Sequence, residues 1–208
     1  MVEPESTVKP VRLTARGEAT RARIVRAAVD LMTIKGVAAT TLDDVRAASG
    51  TSKSQLYRHY ADKDALVQDV IEYQAEDLLT AQEEQLRRLN SIRGLERWRD
   101  AIIQRNTVHN RAYGCQLGSL ACELSDQNER ARSALAGHFE TWLGLIADGL
   151  RRMRDEGKLR CDADPERLAI GLMGALEGGY LLAQTEQDIR SMRITLDMAI
   201  DYIRTFQV

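Results

Sequence analysis

The stretch GTSKSQLYRHYADKDAL, residues 50–66, decides the fold. Between Ser52 and His59 the plain aliphatic residue is Leu56, and lysine, serine, glutamine, tyrosine, arginine and histidine fill the other positions. A helix of this composition offers hydrogen-bonding groups and buries little. Ser52 or Thr51 is placed to cap it, and Gly50 supplies a turn from the segment before it. That segment, TLDDVRAAS from Thr41, opens on a threonine with an acid three residues on. The spacing approximates a capping box, with two aspartates near the positive end of the helix dipole. Two short helices joined across a glycine form the helix-turn-helix arrangement, whose second helix lies in the DNA major groove.

Outward from this pair, helical periodicity continues in both directions. Ile24, Val25, Ala28, Leu31 and Met32 form one stripe of a helix over about 17–35, closed by Lys35 and a left-handed cap at Gly36. Asp62 caps a fourth helix from Lys63 to about Leu89. Leu95, Trp98, Ile102 and Ile103 mark a fifth, and GCQLGSLACELSD, residues 114–126, reads as a short sixth. A long amphipathic seventh stops at Gly157. Asp164-Pro165-Glu166, with a cap, a proline at the first helical position and an acid in the first turn, starts an eighth over 165–185. A ninth spans 189–206. No strand pattern interrupts these, so the expected fold is all-α with about nine helices: a three-helix head followed by a larger helical body. The expected divisions are a flexible N-terminal arm at 1–16, a head at 17–77 and a ligand-binding and dimerisation domain at 78–208.

Composition narrows the function. Hydrophobic residues make up 44% and charged residues 29% of the 208, ordinary globular values, and no run approaches the ~18 apolar residues of a membrane helix. The first residues lack the apolar segment of a secretory signal, so a cytoplasmic location without membrane partners is expected. The net charge of −2 hides an asymmetry: residues 1–63 carry eleven Lys/Arg against seven Asp/Glu, and the remainder is acidic. A basic head on an acidic body suits a polyanion at one end. Cys115, Cys122 and Cys161 lack metal-site spacing and are read as free thiols; no metal and no cofactor are expected. No nucleophile elbow, phosphate loop or paired-acid constellation argues for an enzyme.

On the second helix of the pair, Lys53, Ser54, Gln55 and Tyr57 are assigned to base edges, where Lys favours guanine acceptors and Gln favours adenine. His59, Tyr60, Lys63 and the cap hydroxyls of Thr41 and Ser52 are assigned to phosphates, which position a protein without reading sequence. The run TTLDDVRAASGTSKSQLYRHYADKDALV, preceded by RARIVRAAVDLMTIKG, resembles the N-terminal domain of the TetR/AcrR family of transcriptional regulators. Three features carry the resemblance over residues 18–70: the Gly50-x-Ser52-x-x-x-Leu56-Tyr57 register, the Leu56-Tyr57-Arg58-His59-Tyr60 segment, and Lys63 three residues beyond it. The resemblance implies a homodimeric repressor released from a palindromic operator by a small molecule. It also implies DNA contacts at Thr41, Ser52, Lys53, Ser54, Gln55, Tyr57, His59 and Lys63. Arg46 departs from the family, which has a small residue there, and Asp43 stands where relatives place a basic or polar contact.

The rest of the chain supplies the remaining candidates. Gly171, Gly174, Ala175 and Gly178 line a strip of small residues; interior helical glycines cost ~1 kcal/mol each relative to alanine, so close approach of another helix is the expected reason. Met192, Leu196, Ile200 and Ile203 form a near-heptad stripe on the last helix, and the two sets together are the expected dimer interface. A largely apolar effector pocket is expected from Tyr73, Trp98, Ile102, His109 and Tyr113 on one side. Leu117, Leu120, His138, Trp142, Met173 and Glu177 complete it. The alternative is a thiol-based redox-sensing repressor using Cys115 or Cys122.

Overall fold

A computed structural model describes residues 14–108 and 114–208. Most of the expected N-terminal arm, with His109 and Tyr113, lies outside the described residues. The described residues form nine helices: α1 (Ala15–Lys35), α2 (Leu42–Ser49), α3 (Lys53–His59), α4 (Lys63–Leu86), α5 (Ile92–Val108), α6 (Gln116–Leu124), α7 (Glu129–Asp155), α8 (Pro165–Glu186) and α9 (Arg190–Arg204). The all-α expectation holds. Two compact units divide within α4, between Val70 and Ile71, somewhat before the expected boundary at 77/78.

The first unit is set by its caps. Thr41 Oγ1 accepts the Asp44 backbone N–H at 3.1 Å while the Asp44 carboxylate takes the Thr41 N–H at 2.9 Å, a complete capping box. Lys35 then donates to Asp44 at 2.7 Å, and together with the Thr41 donors it holds that carboxyl well below its usual range. Gly50 closes α2 at φ +63°, ψ +28°, a left-handed conformation that glycine adopts without a Cβ penalty. Gly36 differs from the expected left-handed cap: its φ is +80° but its ψ is 164°, which takes the chain out of α1 into the turn at residues 36–39. Below these ends, α1 packs on α2 and α3, and Ile24, Ala28, Val45, Leu56, Leu66 and Val70 are fully or almost fully buried.

In the second unit α8 packs against α9 and α7, α9 against α5, and α6 against α7. Trp98, Leu117, Leu135, Trp142, Leu176 and Leu196 form its buried centre. The sequence pattern carries α4 on to Leu89, but the helix ends at Leu86 because Arg152 of α7 donates to the carbonyls of Leu86 and Leu89, at 2.9 and 3.1 Å. Leu89 settles against Gly149, where a Cβ would come within 2.5 Å of it. A similar closeness joins α8 to α9: a Cβ on Gly179 would stand 2.9 Å from the Met192 backbone and 2.6 Å from Thr195 Oγ1.

Two alanine substitutions separate close approach from plain helix propensity. Gly179→Ala is expected to destabilise the protein by about 1–3 kcal/mol through overpacking against the Met192 backbone. Gly144→Ala, with nothing within 4 Å of the new methyl, is expected to stabilise α7 by up to ~1 kcal/mol. Urea denaturation of the two variants beside the parent checks both.

Candidate nucleic-acid interface and ligand pocket

Within α3 only Leu56 is buried, at 1% exposure, so the helix presents nearly its whole circumference. Lys53, Ser54 and Tyr57 are exposed, and the Lys53 ammonium lies 5.9 Å from the centre of the Tyr57 ring, a cation–π distance. Gln55 has two duties. Its Oε1 accepts the Ser52 N–H at 2.8 Å, and Ser52 Oγ accepts the Gln55 N–H at 3.2 Å, so a second capping box closes the N-terminus of α3. With one lone pair of its carbonyl oxygen taken by the cap, Gln55 offers a base its free amide N–H donors and a single remaining acceptor site. Bidentate pairing with adenine would use a donor and that acceptor together. The free donors suit O6 or N7 of guanine, N7 of adenine and O4 of thymine.

Tyr60 is corrected from phosphate contact to internal strut. It is 3% exposed and its hydroxyl donates to Asp69 Oδ2. Arg21 grips the same carboxylate with two N–H···O bonds of 2.8 Å, joining the end of α3 to α1 and α4. Burial, reinforced by the Asp69 charge, pushes the phenol far above its ordinary value, so it stays a donor. Neither Arg21 nor Asp69 was singled out in the sequence, because nothing local to either marks a partner 48 residues away. His59 is half-buried and its Nε2 is withdrawn from solvent without a hydrogen-bond partner among the described residues, so this nitrogen is not displayed for a phosphate. The Thr41 hydroxyl donates to Asp44 at 2.7 Å, and the Lys63 ammonium reaches the Ala38 carbonyl at 3.2 Å. Arg46 keeps its stem along α2 and pairs its head with Asp43 at 3.1 Å. Each of these two departures therefore neutralises the other.

In the second unit the candidate pocket residues divide. Trp98, Ile102, Leu117, Leu120, Trp142 and Met173 are all buried. Tyr73 is 44% exposed and opens onto a surface groove of about 400 Å³ with Asp77, Glu84 and Arg105, so it is corrected from pocket wall to outer surface. His138 is held by Glu72 at 3.2 Å, which gives it a structural partner. Glu177 is set on α8 facing the first turn of α6: its Oε2 lies 2.5 Å from where a Cβ on Gly118 would be. Cys115, the N-cap of α6, shares a hydrogen bond with Glu177, and Tyr180 one turn along shares one with Asn106. Asn106 and Tyr180 were not anticipated. Asn106 also donates to the Ile102 carbonyl at 2.8 Å, the i to i−4 spacing that signals an inward polar group on an apolar face.

Burial and the Glu177 charge push the Cys115 thiol far above its ordinary value. A reactive thiolate requires the opposite. Among the described residues no group of three or more His, Cys, Asp or Glu is arranged to hold a metal ion. No helix of the described residues is long and apolar enough to cross a membrane.

The small-residue strip on α8 is open: nothing lies within 4 Å of a Cβ on Gly171, Gly174 or Gly178. Beside it Ile170 and Leu181 on α8, and Ile194, Met198 and Tyr202 on α9, are more than half exposed. Met192, Leu196, Ile200 and Ile203 are corrected. They are at most 1% exposed and belong to the core of their own subunit, because α9 turns that stripe onto α8 and α5.

Tyr60→Phe is expected to cost about 1.5–3 kcal/mol, the range for a hydrogen bond to a charged group, read by chemical denaturation. Burial, with Arg58 and Arg21, holds His59 below the usual imidazole value. Its contribution to stability is therefore present above the unfolded-state pKa and is lost as pH falls through the lower folded one. Between about pH 7 and pH 5 the parent should lose more thermal stability than His59→Gln.

Residues 24–70 match the family described as "Bacterial regulatory proteins, tetR family", and residues 86–199 match "Tetracyclin repressor-like, C-terminal domain". Transcriptional regulator AcuR of Cereibacter sphaeroides is 29% identical over 192 residues, covering 88% of this chain and 86% of that protein. The HTH-type transcriptional repressor DhaR of a Mycobacterium species is 25% identical over 170 residues, covering 81% of this chain and 84% of its own. A crystal structure of regulatory protein TetR from Rhodobacter sphaeroides superposes with a TM-score of 0.79 at 22% identity, over 88% of this chain and 98% of that one. With both halves matched and the helical order in common, the chain belongs to the TetR family of transcriptional regulators.

Proposed function

We propose that this protein is a homodimeric repressor that binds a palindromic operator in the cytoplasm and is released by a small, largely apolar effector. The observation that carries the reading is the α3 surface: one buried residue, two ends held by capping and by Tyr60, and exposed Lys53, Ser54 and Tyr57. Lys53 and the Gln55 amide are assigned to base acceptors, with guanine favoured, and Ser54 and Tyr57 complete the reading face. Lys63 and the cap residues Thr41 and Ser52 position the helix on phosphates.

The dimer is assigned to α8 and α9. Gly171, Gly174, Ala175 and Gly178 let a second copy's helix approach closely, flanked by Ile194, Met198 and Tyr202. A row of exposed apolar side chains of this extent on two adjacent helices is the usual mark of an interface. The two-fold axis then supplies two α3 helices for half-sites about one DNA turn, ~34 Å, or a multiple apart. The effector is assigned to the second unit, among Trp98, Ile102, Leu117, Leu120, Trp142, Met173 and Glu177. It shifts DNA affinity only by binding the DNA-incompetent state more tightly. Helix α4 starts three residues after the C-cap of α3 and ends within the second unit, so both events bear on one helix. For the redox alternative Cys115 is disfavoured, its thiol being buried and held protonated, and exposed Cys122 is the remaining candidate.

Footprinting on DNA flanking the protein's own gene is expected to reveal a protected palindrome; no protection at physiological salt would sink the reading. Lys53→Ala should cost about 1–3 kcal/mol of specific binding and relax base preference, whereas Lys63→Ala should weaken all sequences alike and lower the salt slope by about one. Gly174→Arg should give a folded monomer in sedimentation, with its helical circular dichroism kept and operator affinity lost.

A further inference from the structure

Among the described residues Glu177 is a largely buried carboxyl without a counter-charge. Its Oε1 is withdrawn from solvent and has no hydrogen-bond partner, and no cationic side chain among the described residues acts on it. The other oxygen, Oε2, comes close to α6 at Gly118: a Cβ there would stand 2.5 Å from it. The Cys115 thiol donates to the same carboxyl, and Cys115 Sγ also accepts the Gly118 N–H at 3.3 Å. These contacts fix the direction of the group. Burial raises the carboxyl above its ordinary range, and the hydrogen bond from Cys115 partly offsets this by favouring the ionised form. Around it α6 and α8 contribute buried Leu117, Leu120, Met173 and Leu176.

A buried carboxylate is costly unless a cation or several donors meet it. Here the Cys115 thiol meets the carboxyl, and Oε1 has no donor among the described residues. An apolar surround with a single oriented acceptor defines a ligand that is apolar over most of its surface and carries one basic nitrogen.

We propose that Glu177 selects an amphipathic organic cation, a hydrophobic amine whose N–H donates to Oε1 while its apolar body lies among the side chains of α6 and α8. This rests on the reading that the second unit binds the effector. It adds to that reading the charge of the ligand and the residue that reads it. Gly118 and Cys115 act as positioning residues, keeping the carboxyl in place before the ligand arrives.

The test uses the full chain and three probes of one shape: phenylbutylamine, phenylbutanol and phenylbutyrate. Calorimetry at neutral pH should give the amine an affinity at least about tenfold above the alcohol, as one charge-assisted hydrogen bond provides, with the carboxylate weakest. Glu177→Gln should bring amine and alcohol to within about threefold of each other, chiefly by weakening the amine. The probe series on the parent protein needs no variant, so a Glu177→Gln protein that fails to fold does not remove the test. Equal binding of amine and alcohol, no binding of any probe at millimolar concentration, or an amine preference that survives Glu177→Gln would each overturn the proposal. A variant that merely melts earlier with its selectivity intact would mark Glu177 as a structural cap of α6. Operator release is measured in parallel. If the alcohol releases DNA as well as the amine does, the effector reading stands and only the charge assignment falls. If the ligand-free protein binds no operator, the repressor reading itself falls.

Discussion

A seven-residue helix with one buried side chain cannot be held by its own packing, so α3 is held at its ends. Leu56 contributes at most a few kcal/mol of apolar burial, and isolated helices of this length are marginal in water. The Ser52 and Gln55 box satisfies the N-terminal donors, and the Tyr60 hydroxyl on Asp69, itself gripped by Arg21, fixes the other end. Because anchoring is moved to the termini, the middle is free to be polar. That freedom is what allows a groove-reading surface on so short an element, and it explains why Tyr60 is internal although its neighbour Tyr57 is half exposed.

Local chemistry was the legible part of the sequence. Thr41 with Asp44, Gly50 after α2 and Asp164-Pro165 before α8 each act through neighbours within four residues, and each appears as read; of the two caps offered for α3, Ser52 serves, paired with Gln55. What escaped were pairings across the chain. Nothing near Tyr60 says whether its hydroxyl faces solvent or a carboxylate. The stripe Met192, Leu196, Ile200 and Ile203 announces a packed face without saying whether the other side belongs to the same subunit. Glu177 was singled out, yet Cys115 and Gly118, which meet it, come from a helix some sixty residues earlier, and nothing local to Glu177 marks them.

Adjacent glycines on α8 show how one helix serves two purposes. Gly179 faces inward, where the α9 backbone leaves no space for a methyl, and Gly178 faces outward over open space. The first is needed for the subunit to close. The second has no such reason inside its own chain, which is why it is assigned to the approach of a second copy.

The guanidinium of Arg152 on the end of α4 has a consequence for how the second unit assembles. The carbonyls of Leu86, where α4 ends, and of Leu89 are satisfied by a side chain more than sixty residues later, in the last turn of α7, and Leu89 rests on Gly149 one turn away from it. An α4 without α7 therefore has no stop and no cover for its final turn. These segments gain and lose order as one cooperative element, and the length of α4 is a tertiary property of the protein.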